Sequence, residues 1–222
     1  MHLISGIMKI KSFKGGFDDN FCYVVWCKNT MQGAIIDPSV EPLEIFKFIE
    51  NNNIILSKIL ITHTHHDHIC YLSHFIYKYP NISVYGYNNT RKSFNDNFIG
   101  LNHNDIVSIG GVMFTTLYTP GHYDDCLCYW NIKNISIFTG DTMFVGRSGR
   151  TISSYSNISK LYNSIYNIIL NLPKDTIIYP GHDYGYKSDI SIRENINLST
   201  FFSCKSEDEF IEVMRKFEEN RM

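Results

Sequence analysis

Ile59-Leu60-Ile61-Thr62-His63-Thr64-His65-His66-Asp67-His68 is the stretch whose reading sets the fold. The apolar run Ile59-Leu60-Ile61 reads as a buried strand of an α/β sheet. The polar residues that follow therefore emerge at a strand end, where such sheets present their chemistry. His63, His65, Asp67 and His68 converge within six positions. Imidazole nitrogen and carboxylate oxygen are the donors that a borderline divalent ion such as zinc prefers, and crowding them is costly unless a cation compensates. The stretch reads as a metal site rather than a polar turn.

Upstream, residues 7–13 and 22–28 read as strands separated by Gly15-Gly16, and Gly33-Ala34-Ile35-Ile36-Asp37-Pro38 is a short strand stopped by proline. Leu43, Ile45, Phe46, Phe48 and Ile49 recur at helical spacing between Glu41 and Asn51, so a β-α-β unit delivers the His/Asp cluster. Downstream, the pattern predicts a helix from Ile69 to Tyr79 and strands over 82–85, 106–109, 113–119, 126–132 and 135–139. Ile158, Leu161, Tyr162, Ile165, Ile168, Ile169 and Leu172 mark a strong amphipathic helix, followed by a strand over 176–179. A last helix starts at a possible capping box, Ser206 with Glu209, and carries Phe210, Val213, Met214 and Phe217 as its buried stripe. Strands then helix then ligands, twice over, predict an α/β fold of two mixed sheets packed face to face with helices outside, a four-layered αββα sandwich.

Three more apolar β runs end in a His or Asp beside glycine: Thr119-Pro120-Gly121-His122, Phe138-Thr139-Gly140-Asp141-Thr142 and Tyr179-Pro180-Gly181-His182. Glycine allows a tight backbone turn next to an ion. With THTHHDH at 62–68, TPGH at 119–122, FTGDTMF at 138–144 and YPGHDY at 179–184, the sequence resembles the metallo-β-lactamase superfamily and, within it, the glyoxalase II (hydroxyacylglutathione hydrolase) branch. The resemblance implies that His63, His65 and His122 hold one metal, that Asp67, His68 and His182 hold a second, and that Asp141 bridges them. Asp67 and Asp141 are then the acidic catalytic residues. Three histidines suit zinc, and the more acidic second site would tolerate iron or manganese. His2, His66, His74 and His103 fall outside the motif.

The same resemblance implies hydrolysis of the thioester of a 2-hydroxyacyl glutathione, such as S-D-lactoylglutathione, by a metal-bound hydroxide, with no Ser or Cys nucleophile. Arg150 and Tyr184 stand where the family can face the glutathione moiety. The sequence also departs from the family. Cys70-Tyr71 follows the cluster where small residues are usual, Arg147-Ser148-Gly149 replaces a common GCG, and Tyr123-Asp124-Asp125-Cys126 lacks the usual Thr and Gly. Only 40 residues follow His182, whereas glyoxalase II usually carries a longer helical region that helps bind glutathione. The short tail is similar to that of persulfide dioxygenases, which oxidise glutathione persulfide with a single iron whose ligands sit within the same seven-residue set. A non-catalytic metal-binding module is a third alternative.

Composition narrows the rest. With 222 residues, 44% of them hydrophobic and 19% charged, the chain has the make-up of one catalytic domain spanning 1–222, with a helical tail from about 190. A net charge of −2 provides no field for nucleic acid or anionic membrane, which favours a small-molecule substrate; oligomeric state is not legible. A β-lactamase proper is disfavoured because that group usually has Cys where Asp141 stands. The first eight residues lack the cationic start and long apolar run of a secretory signal, and Met8 offers a second start. The six cysteines show no CxxC pair and read as buried apolar residues in a reducing compartment, so a cytoplasmic location is expected.

Overall fold

A computed structural model describes residues 6–90, 92, 94 and 97–219. The chain begins with an antiparallel meander of β1 (Met8–Gly15), β2 (Asn20–Cys27) and β3 (Gln32–Ile36). β2 is apolar on both faces because it lies inside the sheet with side chains packed above and below, and seven of its eight residues are buried. β1 is the sheet edge, and its exposed Lys9, Lys11 and Lys14 guard that edge against pairing with another chain.

Helix α1 (Pro42–Asn51) starts with proline in its first turn and buries Pro42, Ile45 and Ile49. It returns the chain to β4 (Ile55–Leu60), parallel to β3. α2 (His66–Ile69) and α3 (Leu72–Lys78) lead to β5 (Ser83–Tyr87) and β6 (Phe98–Leu101), giving the sheet order β1-β2-β3-β4-β5-β6. The second sheet runs β7 (Ile106–Ile109), β8 (Val112–Tyr118), β9 (Leu127–Asn131), β10 (Ser136–Gly140), β11 (Ile177–Pro180) and β12 (Ile190–Ser191) in spatial order. Only β10 and β11 pair in parallel there, joined through α4 (Ile158–Asn163), while α5 (Ile192–Leu198) and α6 (Glu207–Glu219) complete the described chain.

Three apolar layers result. Tyr23, Val25, Ile36 and Leu60 of the first sheet meet Phe114, Leu127, Tyr129 and Phe138 of the second. Ile45, Ile49 and Phe75 pack on the outer face of the first sheet, and Leu161, Ile165, Phe210 and Met214 on the outer face of the second. This is the expected four-layered αββα arrangement of two mixed sheets.

The departures have local causes. The helix expected over 69–79 breaks at Cys70-Tyr71 into α2 and α3. The helix expected over 158–172 keeps its buried stripe, but its backbone changes from α to a π turn at Ser164–Ile168 and a 3-10 turn at Ile169–Asn171. Asparagines accompany the irregularity: Asn163 and Asn171 donate their side-chain amides to the carbonyls of Ser159 and Asn167, four positions earlier, in competition with the helical ladder, and Asn167 donates to Asn163 Oδ1. α5 falls in the helical tail expected from about 190, whereas β6 and β12 are additions: β12 is two residues long and β6 four, too short for a period to show. At the tail, Ser206 Oγ accepts from Glu209 N at 3.2 Å, but the Glu209 carboxylate accepts from Lys205 N, one residue upstream of a regular capping box.

Two buried tyrosines clamp the sheets together beside the ligand loops. Tyr23 of the first sheet donates its hydroxyl to Pro180 O, and Tyr129 of the second donates to Ile61 O, each at 2.7 Å. Burial pushes both phenols well above their ordinary pKa, so they remain donors. Tyr129→Phe should cost about 1–2 kcal/mol, the penalty for a buried carbonyl left without its donor. In urea unfolding it should lower the midpoint with the slope unchanged; a midpoint equal to wild type would show that the clamp contributes nothing.

Candidate metal centre

β4 ends at Leu60, and the chain then turns so that His63 is buried while Asp67 and His68 occupy the single turn of α2. The other side chains arrive from the second sheet: His122 after β8, Asp141 after β10 and His182 after β11. Two glycines make that approach possible. Gly121 has φ +144°, and a side chain there would run into the backbone of Leu161 in α4. A side chain at Gly181 would occupy the space of Asp141 Oδ1 and the His68 ring.

The seven side chains predicted as ligands are brought together in two groups. Donor atoms of His63, His65, His122 and Asp141 all lie within 4.8 Å of one another, as do those of Asp67, His68 and His182. In the first group, His65 Nδ1 is 2.9 Å from His63 Nε2 and 3.0 Å from His122 Nε2. In the second, His182 Nε2 is 3.2 Å from His68 Nε2 and 3.3 Å from Asp67 Oδ2. Asp141 touches both: its Oδ1 is 3.1 Å from His68 Nε2, and its Oδ2 lies 3.3 Å from His182 Nε2 and 3.5 Å from His122 Nε2. Ligands about 2.0–2.1 Å from a tetrahedral ion stand roughly 3.3 Å apart, so the spacing fits a metal. Asp141 Oδ1 is buried and accepts no well-formed hydrogen bond, which is the state of a carboxylate oxygen turned toward a cation.

The outer nitrogens show the same design. His122 Nδ1 donates to Arg150 O at 2.8 Å, His182 Nδ1 to Asp18 O at 2.7 Å and His68 Nδ1 to Asp37 Oδ2 at 2.9 Å. A carbonyl oxygen only accepts, so these contacts place the proton on Nδ1 and turn the Nε2 lone pair inward. Asp37 also accepts from Thr62 N and Thr62 Oγ1, at 2.7 and 2.6 Å. Asn20 Nδ2 donates to Asp67 Oδ2 at 2.8 Å.

Electrostatics divides the histidines. Burial lowers the pKa of His63 and His122, and takes His65 down to about 4, so these rings are neutral donors. Burial also opposes charge on His68 and His182, but it is outweighed by Asp141 together with Asp37 at His68 and with Asp67 at His182, and His182 is raised to about 9. The Asp67 and Asp141 carboxyls stay well below their usual range: burial works against ionisation and the facing histidines prevail. A cation entering the second group takes the place of protons that those carboxylates otherwise hold nearby.

His66 is exposed beside the Phe17 ring, and His74 and His103 are exposed away from the cluster; His2 lies outside the described residues. Arg150 and Tyr184 both line two cavities, of about 330 and 480 Å³, that meet at His122 and Asp141. Sequence reasoning missed Asp37, Asn20, Asp18 and Asp125, which accepts from Thr64 and Thr90 hydroxyls at 2.6 and 2.8 Å. For Asp37 a signal existed: an acid between a buried strand and a proline.

The family model that matches the chain is that of the metallo-beta-lactamase superfamily, over residues 15–182. A hydroxyacylglutathione hydrolase of Francisella tularensis subsp. novicida is 35% identical over 169 residues, covering 74% of this chain and 63% of the relative. A probable hydroxyacylglutathione hydrolase of Schizosaccharomyces pombe is 31% identical over 179 residues, covering 76% of this chain and 66% of the relative. The chain therefore spans just under two thirds of the length of these relatives. Among solved structures, ETHE1 from Myxococcus xanthus superposes with a TM-score of 0.85 at 30% identity, covering 94% of this chain and 91% of that one. Together with a His/Asp cluster able to bind divalent metal, the match over most of its length makes this chain a member of the metallo-β-lactamase superfamily.

Proposed function

We propose that the chain is a metal-dependent hydrolase of the thioester of a 2-hydroxyacyl glutathione, with S-D-lactoylglutathione as the representative substrate. The observation that carries the proposal is the likeness to relatives named hydroxyacylglutathione hydrolase at 31–35% identity. His63, His65 and His122 would hold one ion and Asp67, His68 and His182 the other, with Asp141 between them; zinc suits the three-histidine group, and iron or manganese the more acidic one. When bound, such ions polarise a carbonyl and bring the pKa of water from 15.7 to about 7.

The chain's own residues do the remainder. Neutral His63, His65 and His122 leave their lone pairs available. Asp67, whose side chain is 28% exposed, reaches the wall of the larger cavity, where an ionised carboxylate can take a proton from the attacking water. Water adds to the acyl carbon, the C–S bond breaks, and the thiol leaves with a proton. Arg150 and Tyr184, on the walls shared by both cavities, face the thiol portion of the substrate. Free, buried cysteines suit a reducing, cytoplasmic setting; among the described residues no helix is long and apolar enough to cross a membrane.

Oxidation of glutathione persulfide by dioxygen at a single iron is the second function the site supports. Its ligands would lie within the same seven-residue set, and the structural likeness to ETHE1 extends over 94% of the chain.

Asp141→Ala or His122→Ala should remove bound metal and activity together, measured by elemental analysis and turnover, while His66→Ala keeps both; a His66 variant stripped of metal would overturn the ligand assignment. Asp37→Asn should weaken metal binding about 10- to 100-fold, read by competition with a chelating dye, because His68 loses the acceptor that orients it. Thiol release from S-D-lactoylglutathione should proceed with kcat/KM above about 10⁴ M⁻¹s⁻¹. Release no faster than with Asp141→Ala, accompanied by oxygen uptake on glutathione persulfide, would instead establish the iron dioxygenase.

A further inference from the structure

The smaller cavity contains a second guanidinium. Arg147 stands on its wall with Arg150, Tyr184 and Phe217, and the same cavity opens onto His122 and Asp141 of the metal centre. Its guanidinium carbon lies 3.8 Å from the centroid of the Tyr184 ring, with the Phe144 and Phe217 rings at 5.9 and 5.7 Å. Tyr184 in turn stacks on His182, with centroids 4.7 Å apart and planes within 4°. Arg147, Tyr184 and His182 thus form one continuous stack leading from a metal ligand to the far wall of the cavity.

The loop that carries Arg147 is built to hold it still. Phe144 N donates to Arg147 O at 2.8 Å, and Met143 bridges to Ser148, closing a tight turn through Gly146 at φ +79°. Asn195 of α5, fully buried, accepts from Gly146 N and donates to Phe144 O, both at 2.8 Å. Ser199 Oγ donates to Gly146 O at 2.7 Å. An arginine on so fixed a loop, held 3.8 Å over an aromatic ring, loses little further freedom when it binds a planar anion.

We infer that Arg147 is a specificity-determining residue whose guanidinium, in the cavity that Arg150 also lines, binds a carboxylate of the thiol half of the substrate and so holds the thioester against the metal centre. The inference rests on the proposed thioester hydrolysis for the identity of the substrate, but the subsite itself selects any ligand that places a carboxylate there. The remaining acid on the wall, Asp18, accepts the Tyr184 hydroxyl and braces the stack. Glutathione offers two carboxylates, glycyl and γ-glutamyl, with the same chemistry.

Calorimetric titration of metal-loaded protein with S-methylglutathione, which cannot be hydrolysed as a thioester, tests this separately from turnover. Wild type should bind the free acid about 10- to 100-fold more tightly than the diester, the range of a charge-assisted pair of hydrogen bonds. Arg147→Gln should abolish that preference, with metal content and melting temperature unchanged. Arg147→Lys should restore only part of it, since an ammonium lacks the planar fork. The glycyl monoester shows which carboxylate is held: loss of affinity identifies the glycyl group, retention the γ-glutamyl group. An Arg147→Gln protein that still prefers the acid as strongly as wild type, or a wild type indifferent to esterification, would overturn the inference. Intact discrimination without hydrolysis of S-D-lactoylglutathione would reject the proposed reaction and leave the subsite standing.

Discussion

A buried carboxylate between two sets of imidazoles is the interaction on which the structure depends. Asp141 comes from the second sheet, yet one of its oxygens faces His68 from the first, and the other faces His122 and His182. Neither sheet alone contains a complete donor group. Bringing the two together buries like-natured donors at about 3 Å spacing, an arrangement that burial and mutual repulsion oppose. The compensation is structural. Outer acceptors fix the histidine tautomers, Asp37 ties His68 to Thr62, and the Tyr23 and Tyr129 hydroxyls cross the seam to the loops that carry the ligands.

The seven clustered side chains were legible because each follows an apolar run whose period or length betrays a strand, and because glycine stands beside those of the second sheet. What escaped the sequence shares a different character. Asp37, Asn20 and Asp18 act through contacts made by distant segments, and their polarity looks like ordinary turn composition. The helical irregularity at 164–171 escaped for a related reason: the apolar stripe reports which face is buried, whereas the asparagines that accompany the irregularity lie on the exposed face. Length limited the rest, since strands of two to four residues carry almost no periodic information.

The tail has a place in this chemistry without contributing a ligand. α5 supplies Asn195 to the loop after Asp141, and α6 covers the same sheet with Phe210 and Met214, while Ser148 donates to the Met214 sulfur at 3.1 Å. The cavity wall beyond the metal centre is therefore held in shape from behind by helices remote from the reacting atoms, and rigid support of that kind is what positions a binding group closely.

The six free cysteines take on meaning beside the proposed thioester hydrolysis, which would liberate a thiol. Burial pushes Cys22 and Cys126 far up and Cys128 to about 12, and raises Cys70 and Cys204 as well, whereas at Cys27 burial is outweighed by hydrogen bonds from Thr30, Gly111 and Asn29, which lower the thiol. A thiol with a pKa near 12 is ionised to about one part in 10⁵ at neutral pH, and only the thiolate exchanges with a disulfide. A swing in the surrounding thiol–disulfide balance would therefore leave Cys22, Cys126 and Cys128 uncaptured as mixed disulfides. Close packing of these three sulfurs makes that part of the core chemically indifferent to a thiol product.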